Sequence, residues 1–253
     1  MTTNHFSSYP LVDAAVGTRL LLGFIVTPHT LQQRLRLPWQ LASLSTFSAL
    51  GIPEDEQPNL LLIFHHLLLD QDAQGQNQAD SGLRFVVFNI PAANPETGEQ
   101  GLVHFRMFTG GAIPGRYGDA LLAQVTHEYH LVEDSHASSI KEAFQVHPEA
   151  GGTLELRLAY RRGPLVRQEA DRPNFPLWTT ADPRIVRVYQ EDSVLEILRN
   201  DVTGLNLIQE LTFRSTVPEL ADLFDGSERL VAFLGNPHYA RKVFSPALEH
   251  ANH

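Results

Sequence analysis

The chain has 253 residues, a hydrophobic fraction of 43% and a formal net charge of −10. That is globular composition, and 253 residues fit one large all-β unit. The negative charge repels phosphate backbones, and the densest basic group (Arg157, Arg161, Arg162 and Arg167) is interrupted by Glu155 and Glu169, so no nucleic-acid partner is expected. Cysteine is absent, which excludes disulfides, zinc–thiolate sites and cysteine nucleophiles.

Taken in chain order, residues 18–26 (TRLLLGFIV) read as a first strand, and residues 28–35 as a short helix with Pro28 in its first turn. Residues 59–69 (NLLLIFHHLLL) are apolar on both alternating faces, as in a strand covered on both sides. The same run is about half the length of a membrane helix, so no membrane partner is expected. Residues 70–80 form a polar loop, and residues 83–90 and 102–109 are two further strands. Residues 117–125 (YGDALLAQV) fit a helix of about two turns. Strands follow at 126–133, 139–147 and 153–161. In the last, Leu154, Leu156, Leu158 and Tyr160 share one face. A Pro-rich link leads to strands at 184–190, 205–213 and 229–234, with a short helix at 216–224. Residues 194–199 are ambiguous between helix and strand, and the tail after His238 is weakly specified. No long linker, repeat or low-complexity tract divides the chain. It is expected to be a single domain over residues 1–253, mainly β (α+β), a closed or partly closed antiparallel barrel or cone with a few short helices. The N-terminus carries no basic stretch followed by an apolar run, and a cytoplasmic location is the default expectation.

Several histidines and arginines sit where apolar residues dominate. His65 and His66 interrupt the long strand; neighbours on a strand point to opposite faces, so only one can meet a given cavity. Each reads either as a packed core histidine or as a cavity acid/base group. In 126–131 (THEYHL), His127 and His130 could share a helix face and hold a metal, but on a strand they diverge, and no metal is expected. If Ala123 marks the inward register, Val125, His127, Tyr129 and Leu131 follow it, making His127 and Tyr129 candidates for the lining of a cavity. Arg19, in an apolar strand, needs either an acidic partner or an anionic ligand. Arg106, mid-strand, reads as a surface residue. Arg116, after a glycine at a helix start, also calls for an anionic partner.

Five features recur in order: Arg19 on the first strand; the helix ending at Pro38; the long apolar strand 59–69; Gly115-Arg116; and Arg172-Pro173-Asn174-Phe175 followed by Pro183-Arg184-Ile185. In that order and spacing, with the segment 216–234, the chain resembles the acetoacetate decarboxylase family from about Thr18 to Pro246. The resemblance implies a β-rich cone or barrel with an internal active site. Family members that decarboxylate use a Schiff-base lysine just after the Gly-Arg helix start. Here no lysine lies between Arg116 and Glu133, and gapless alignment puts the family's lysine pair near Ala123 and Gln124. The family's carboxylate on the long strand is also missing, with His65 or His66 the nearest polar replacement, while Asp80 aligns loosely with a second carboxylate. Arg19 matches the first-strand arginine.

The chain holds only Lys141 and Lys242. The expectation is therefore an enzyme of lyase type acting on a carbonyl- or carboxylate-bearing small molecule by acid/base chemistry, without a lysine Schiff base and without a cofactor. His127, Tyr129, His65 and His66 are the candidate proton carriers. Arg19, Arg116, Gln124 and Phe64 are the candidate substrate-binding residues. The alternative is a non-catalytic protein that binds a small molecule in the same cavity. A homo-oligomer is carried as a further expectation.

Overall fold

The computed structural model describes residues 8–43, 52–78, 82–111, 120–133, 138–171, 173–182 and 186–246. Its strands are β1 (Leu11–Ile25), β2 (Gln40–Leu41), β3 (Leu60–Asp72), β4 (Leu83–Ala93), β5 (Gln100–Thr109), β6 (Ala120–Glu133) and β7 (Ser138–Pro148). They continue with β8 (Leu154–Arg161), β9 (Leu165–Glu169), β10 (Phe175–Thr179), β11 (Val186–Asn200), β12 (Leu205–Asn206), β13 (Ile208–Ser215) and β14 (Arg229–Phe244). Among the described residues the one α-helix is α1, Pro28–Arg34.

Seven strands close a barrel in the order β5-β10-β11-β14-β1-β3-β4 and back to β5. All neighbours are antiparallel except β10 and β5, which run parallel through Leu177 and Leu102. The other end of β5 pairs in parallel with β6, at Met107 and Ala120. This pairing starts a second sheet, β6-β7-β8-β13, that packs on the outside of the barrel.

Alternation along the strands divides the apolar residues between two cores. On β1 and β3, Leu20, Leu22 and Phe24 join Leu60, Leu62 and Phe64 on the outward face. They pack against Phe144, Leu156 and Leu158 of the second sheet. The intervening residues Leu61, Ile63 and Leu67 point into the barrel with Phe85, Val87, Met107 and Tyr189. Covering on both faces explains the unbroken hydrophobicity of residues 60–64. Gly17 marks a shift of register between β1 and β3; a Cβ there would lie 2.2 Å from the carbonyl oxygen of His66.

Several segments depart from the sequence-based expectations. Residues 120–125 are the start of β6, not a helix: Ala123 and Val125 are buried in the inter-sheet core while Leu122 and Gln124 are exposed, a period of two. The expected helix at 216–224 is a 3-10 turn over Pro218–Leu220. The ambiguous 194–199 lies within β11, and β14 runs through the tail as far as Phe244. Two strands, β9 and β10, occupy what read as a Pro-rich link. Pro176 is tolerated because β10 is short and closes the barrel through only a few pairs. No described helix is long and apolar enough to cross a membrane.

Candidate functional site

The division of the strands between two faces creates two cavities that share β1 and β3. The larger, about 440 Å³, opens between the barrel and the second sheet. His66 reaches it from β3, Arg19 and Thr18 from β1, and Asn236 from β14. His127 and Tyr129 enter from β6, with Glu142 (β7), Tyr160 (β8), Arg162 and Glu196 (β11). The smaller, about 50 Å³, lies inside the barrel and is lined by Arg19, His65, Asp70, Glu191, Tyr239 and Arg241 among others.

Four side chains in the larger cavity form one hydrogen-bonded array. Tyr160 Oη donates to Glu142 Oε1 at 2.7 Å, and His127 Nε2 meets Glu142 Oε2 at 3.1 Å. An ionised carboxylate only accepts, so Nε2 carries the proton. His127 Nδ1 in turn lies 3.2 Å from His66 Nδ1. With neutral His127 this nitrogen is an acceptor, and His66 donates to it. The His127 ring is clamped by Phe144, stacked at 4.0 Å and 10°. Burial, then Arg84 and His127 beside it, lowers the His66 pKa to about 4, so His66 is neutral near pH 7. Burial pushes the Tyr160 and Tyr129 hydroxyls up, and both stay protonated.

Both guanidinium groups of this cavity are held by carboxylates. Arg19 makes a two-point contact with Glu191 (Nη2–Oε2 2.8 Å, Nη1–Oε1 3.2 Å), and its Nε donates to Asn236 Oδ1 at 2.8 Å. It also stacks over Tyr239 at 4.0 Å. Burial opposes its charge, but Glu191 more than offsets this and the pKa is raised. Arg162 donates to Glu196 Oε2 at 2.8 Å, while the backbone N–H of Gly163 takes Oε1 at 2.7 Å.

The sequence-predicted residues sort as follows. His66, His127, Tyr129 and Arg19 line one cavity, with Tyr129 at its mouth, 49% exposed. His65 faces the other way, into the barrel, stacked on Phe85 at 4.5 Å and with Nδ1 lacking a hydrogen-bond partner. Burial, then Arg241 and Arg19, depresses its pKa well below the ordinary histidine value. Two substrate-binding expectations are corrected in position. Gln124 is exposed on the far face of β6, one residue out of register with Ala123. Phe64 is fully buried in the inter-sheet core against Phe144, at 5.0 Å, and lines neither cavity. Leu131 shares the register of His127 but is 52% exposed. Arg106 is not simply a surface residue, being ion-paired with Glu219 at 2.6 Å. Arg116, Asp80, Arg172 and the Pro183-Arg184-Ile185 run lie outside the described residues. Both lysines are exposed and line neither of these cavities: Lys141 is on the outer face of the second sheet and Lys242 on the outside of the barrel.

Glu142, Tyr160, Arg162 and Glu196 were not anticipated. Glu142 had a readable signal, because in β7 it alternates with Ile140, Phe144 and Val146, and an acid in an apolar row needs a buried partner. Among the described residues no group of three or more His, Asp or Glu is placed to hold a metal.

No family model matches the sequence, and no curated protein does. The architecture itself is that of the acetoacetate decarboxylase-like enzymes. One solved structure of this fold is the enduracididine biosynthesis enzyme MppR complexed with pyruvate, with a TM-score of 0.59, 12% identity, and coverage of 92% of this chain and 88% of that one. MppR complexed with the condensation product of pyruvate and imidazole 4-carboxaldehyde gives 0.56 and 11%, covering 95% and 90%. An acetoacetate decarboxylase-like enzyme from Sphingomonas wittichii RW1 gives 0.55 and 13%, covering 94% and 93%. At these identities the likeness is one of fold, and function has to be argued from the site.

Proposed function

We propose that this protein is an enzyme that moves a proton to or from the carbon beside a carbonyl group in a small carbonyl- or carboxylate-bearing molecule, without forming a Schiff base. The observation that carries this reading is the Tyr160–Glu142–His127–His66 array opening on a cavity of about 440 Å³. A proton taken up by the histidine pair is shared across the two Nδ1 atoms, and its charge rests against Glu142. A carboxylate that orients an imidazole and stabilises its charged form is the logic of the catalytic triad. The electron pair left on carbon moves to the carbonyl oxygen, and the protonated Tyr129 hydroxyl is the donor placed to meet it. The exposed positions of Lys141 and Lys242 support a mechanism without an iminium, and the pyruvate and pyruvate-derived ligands of MppR support a small carbonyl compound as ligand.

The test is deuterium incorporation from solvent into the α-carbon of small ketones, aldehydes and keto acids, followed by proton NMR. The wild-type protein is expected to accelerate exchange, and His127→Asn to lower the rate at least about a hundredfold, the ordinary contribution of a positioned acid/base group. Saturable binding with no exchange would replace this reading by a non-catalytic small-molecule-binding protein using the same cavity.

A further inference from the structure

We infer that the inter-sheet cavity selects uncharged carbonyl compounds over their carboxylate counterparts. This rests on the reading of that cavity as the substrate site, and concerns which ligands it admits.

A carboxylate ligand is normally recognised by a guanidinium whose paired N–H groups are open to it. Among the described residues lining the cavity, the guanidinium groups are those of Arg19 and Arg162. Each is already engaged by a carboxylate of the protein. Glu191 takes both terminal nitrogens of Arg19, and Asn236 takes its Nε. Glu196, itself 1% exposed, takes Nη1 of Arg162, whose side chain is 46% exposed, and its second oxygen is held by the Gly163 N–H. Glu196 cannot swing away without losing its bonds in a buried position, and Glu191 would give up a two-point contact, losses of the kind that make breaking an ion pair costly.

The charge balance points the same way. Two arginines are matched by two glutamates, and Glu142 adds a third negative group against the histidine pair, of which His66 is neutral near pH 7. An anion entering here finds no surplus positive charge to repay its dehydration. A neutral carbonyl oxygen asks for less. The Tyr129 hydroxyl serves it as a donor, and amide or ketone substituents lie against Leu20, Phe144 and Pro237.

The experiment compares pyruvamide with pyruvate, which share a carbon skeleton and differ in one charge, by calorimetry or ligand-observed NMR on the wild-type protein at pH 7.5. Pyruvamide is expected to bind at least tenfold more tightly. Glu191→Gln, which removes the partner of Arg19, is expected to reverse or abolish that preference by strengthening pyruvate binding. Equal or tighter binding of pyruvate by the wild type overturns the inference whether or not the variant folds. Failure of both ligands to bind overturns it together with the substrate-site reading. Loss of the proton-exchange activity with the binding ratio intact would instead strike only at the catalytic reading and leave the selectivity standing.

Discussion

The barrel interior and the inter-sheet cavity share one wall, β1 and β3, yet they treat their polar groups in opposite ways. Inside the barrel, His65 is stacked on Phe85, flanked by Arg19 and Arg241, and left with an unpartnered Nδ1 around a space of about 50 Å³. Across the wall, His66 is tied through His127 to a buried carboxylate and borders a space several times larger. Burial and nearby arginines lower the pKa of both consecutive histidines, but the two differ in their partners and in the space beside them. What separates them is the pleat, which sends them to opposite faces, and the partner each face supplies. A histidine near two cations, with no acid bonded to it, is held neutral. A histidine coupled to a histidine–carboxylate pair has somewhere to send a proton.

The sharpest way to break this contrast is to remove the wall. Arg19 borders both cavities and its side chain is 11% exposed. Arg19→Met leaves Glu191 without its ion partner, and the expected loss is about 3–5 kcal/mol in urea denaturation. The double variant Arg19→Met/Glu191→Leu should recover most of that, because both charges are then gone. A single-variant loss under about 1 kcal/mol would show that the pair does not hold the wall together.

A smaller effect separates the two histidines by pH. Both have folded-state pKa values below the ordinary 6.5, with that of His66 at about 4. Below pH 6.5 the unfolded chain binds protons that the native chain refuses, so stability falls as pH falls through the window from 6.5 towards 4. Melting temperature followed from pH 7.5 to 4.5 should decline. His66→Gln should flatten the curve relative to wild type over that window. An unchanged slope in this variant would contradict a neutral, desolvated His66. In an NMR titration, the His65 midpoint should lie well below the ordinary histidine value.

The smallest expected effects belong to the lysines. Lys141→Ala and Lys242→Ala alter exposed side chains away from both cavities and should change stability by less than about 0.5 kcal/mol. Borohydride reduction in the presence of pyruvate should leave the intact mass unchanged. A stoichiometric adduct on Lys141 would restore lysine chemistry by a migrated nucleophile.

Much of the inter-sheet cavity could be read from strand periodicity. The alternation Ala123–Val125–His127–Tyr129 survives in β6, and the opposed faces of His65 and His66 follow from the same rule. The helix expectation failed at residues 120–125 because Ala, Leu and Gln are good helix formers while pairing with β5 and β7 overrides that preference; residues 117–119 lie outside the described residues. Lys141 and Glu142 are neighbours in the sequence. On a strand they diverge, so Glu142 serves His127 while Lys141 meets solvent. Arg162 and Glu196 were out of reach because their meeting depends on β9 pairing with β11, with Leu165 opposite Glu196, which has no local signature.

The seam between β1 and β14 has a consequence for how the chain is made. Ile25 pairs with Arg229 and Leu11 with Phe244, so partners are more than two hundred residues apart. At a synthesis rate of about 5–20 residues per second, β1 emerges roughly ten to forty seconds before the strand that completes it. One of its edges can pair early with β3. The other carries unmet N–H and C=O groups along an apolar strand, which is the template that edge-to-edge aggregation uses. Ribosome-bound chains halted before residue 229 should therefore be far more sensitive to protease and chaperone than the released protein, because β14 is the strand that joins β1 to β11 and seals the barrel.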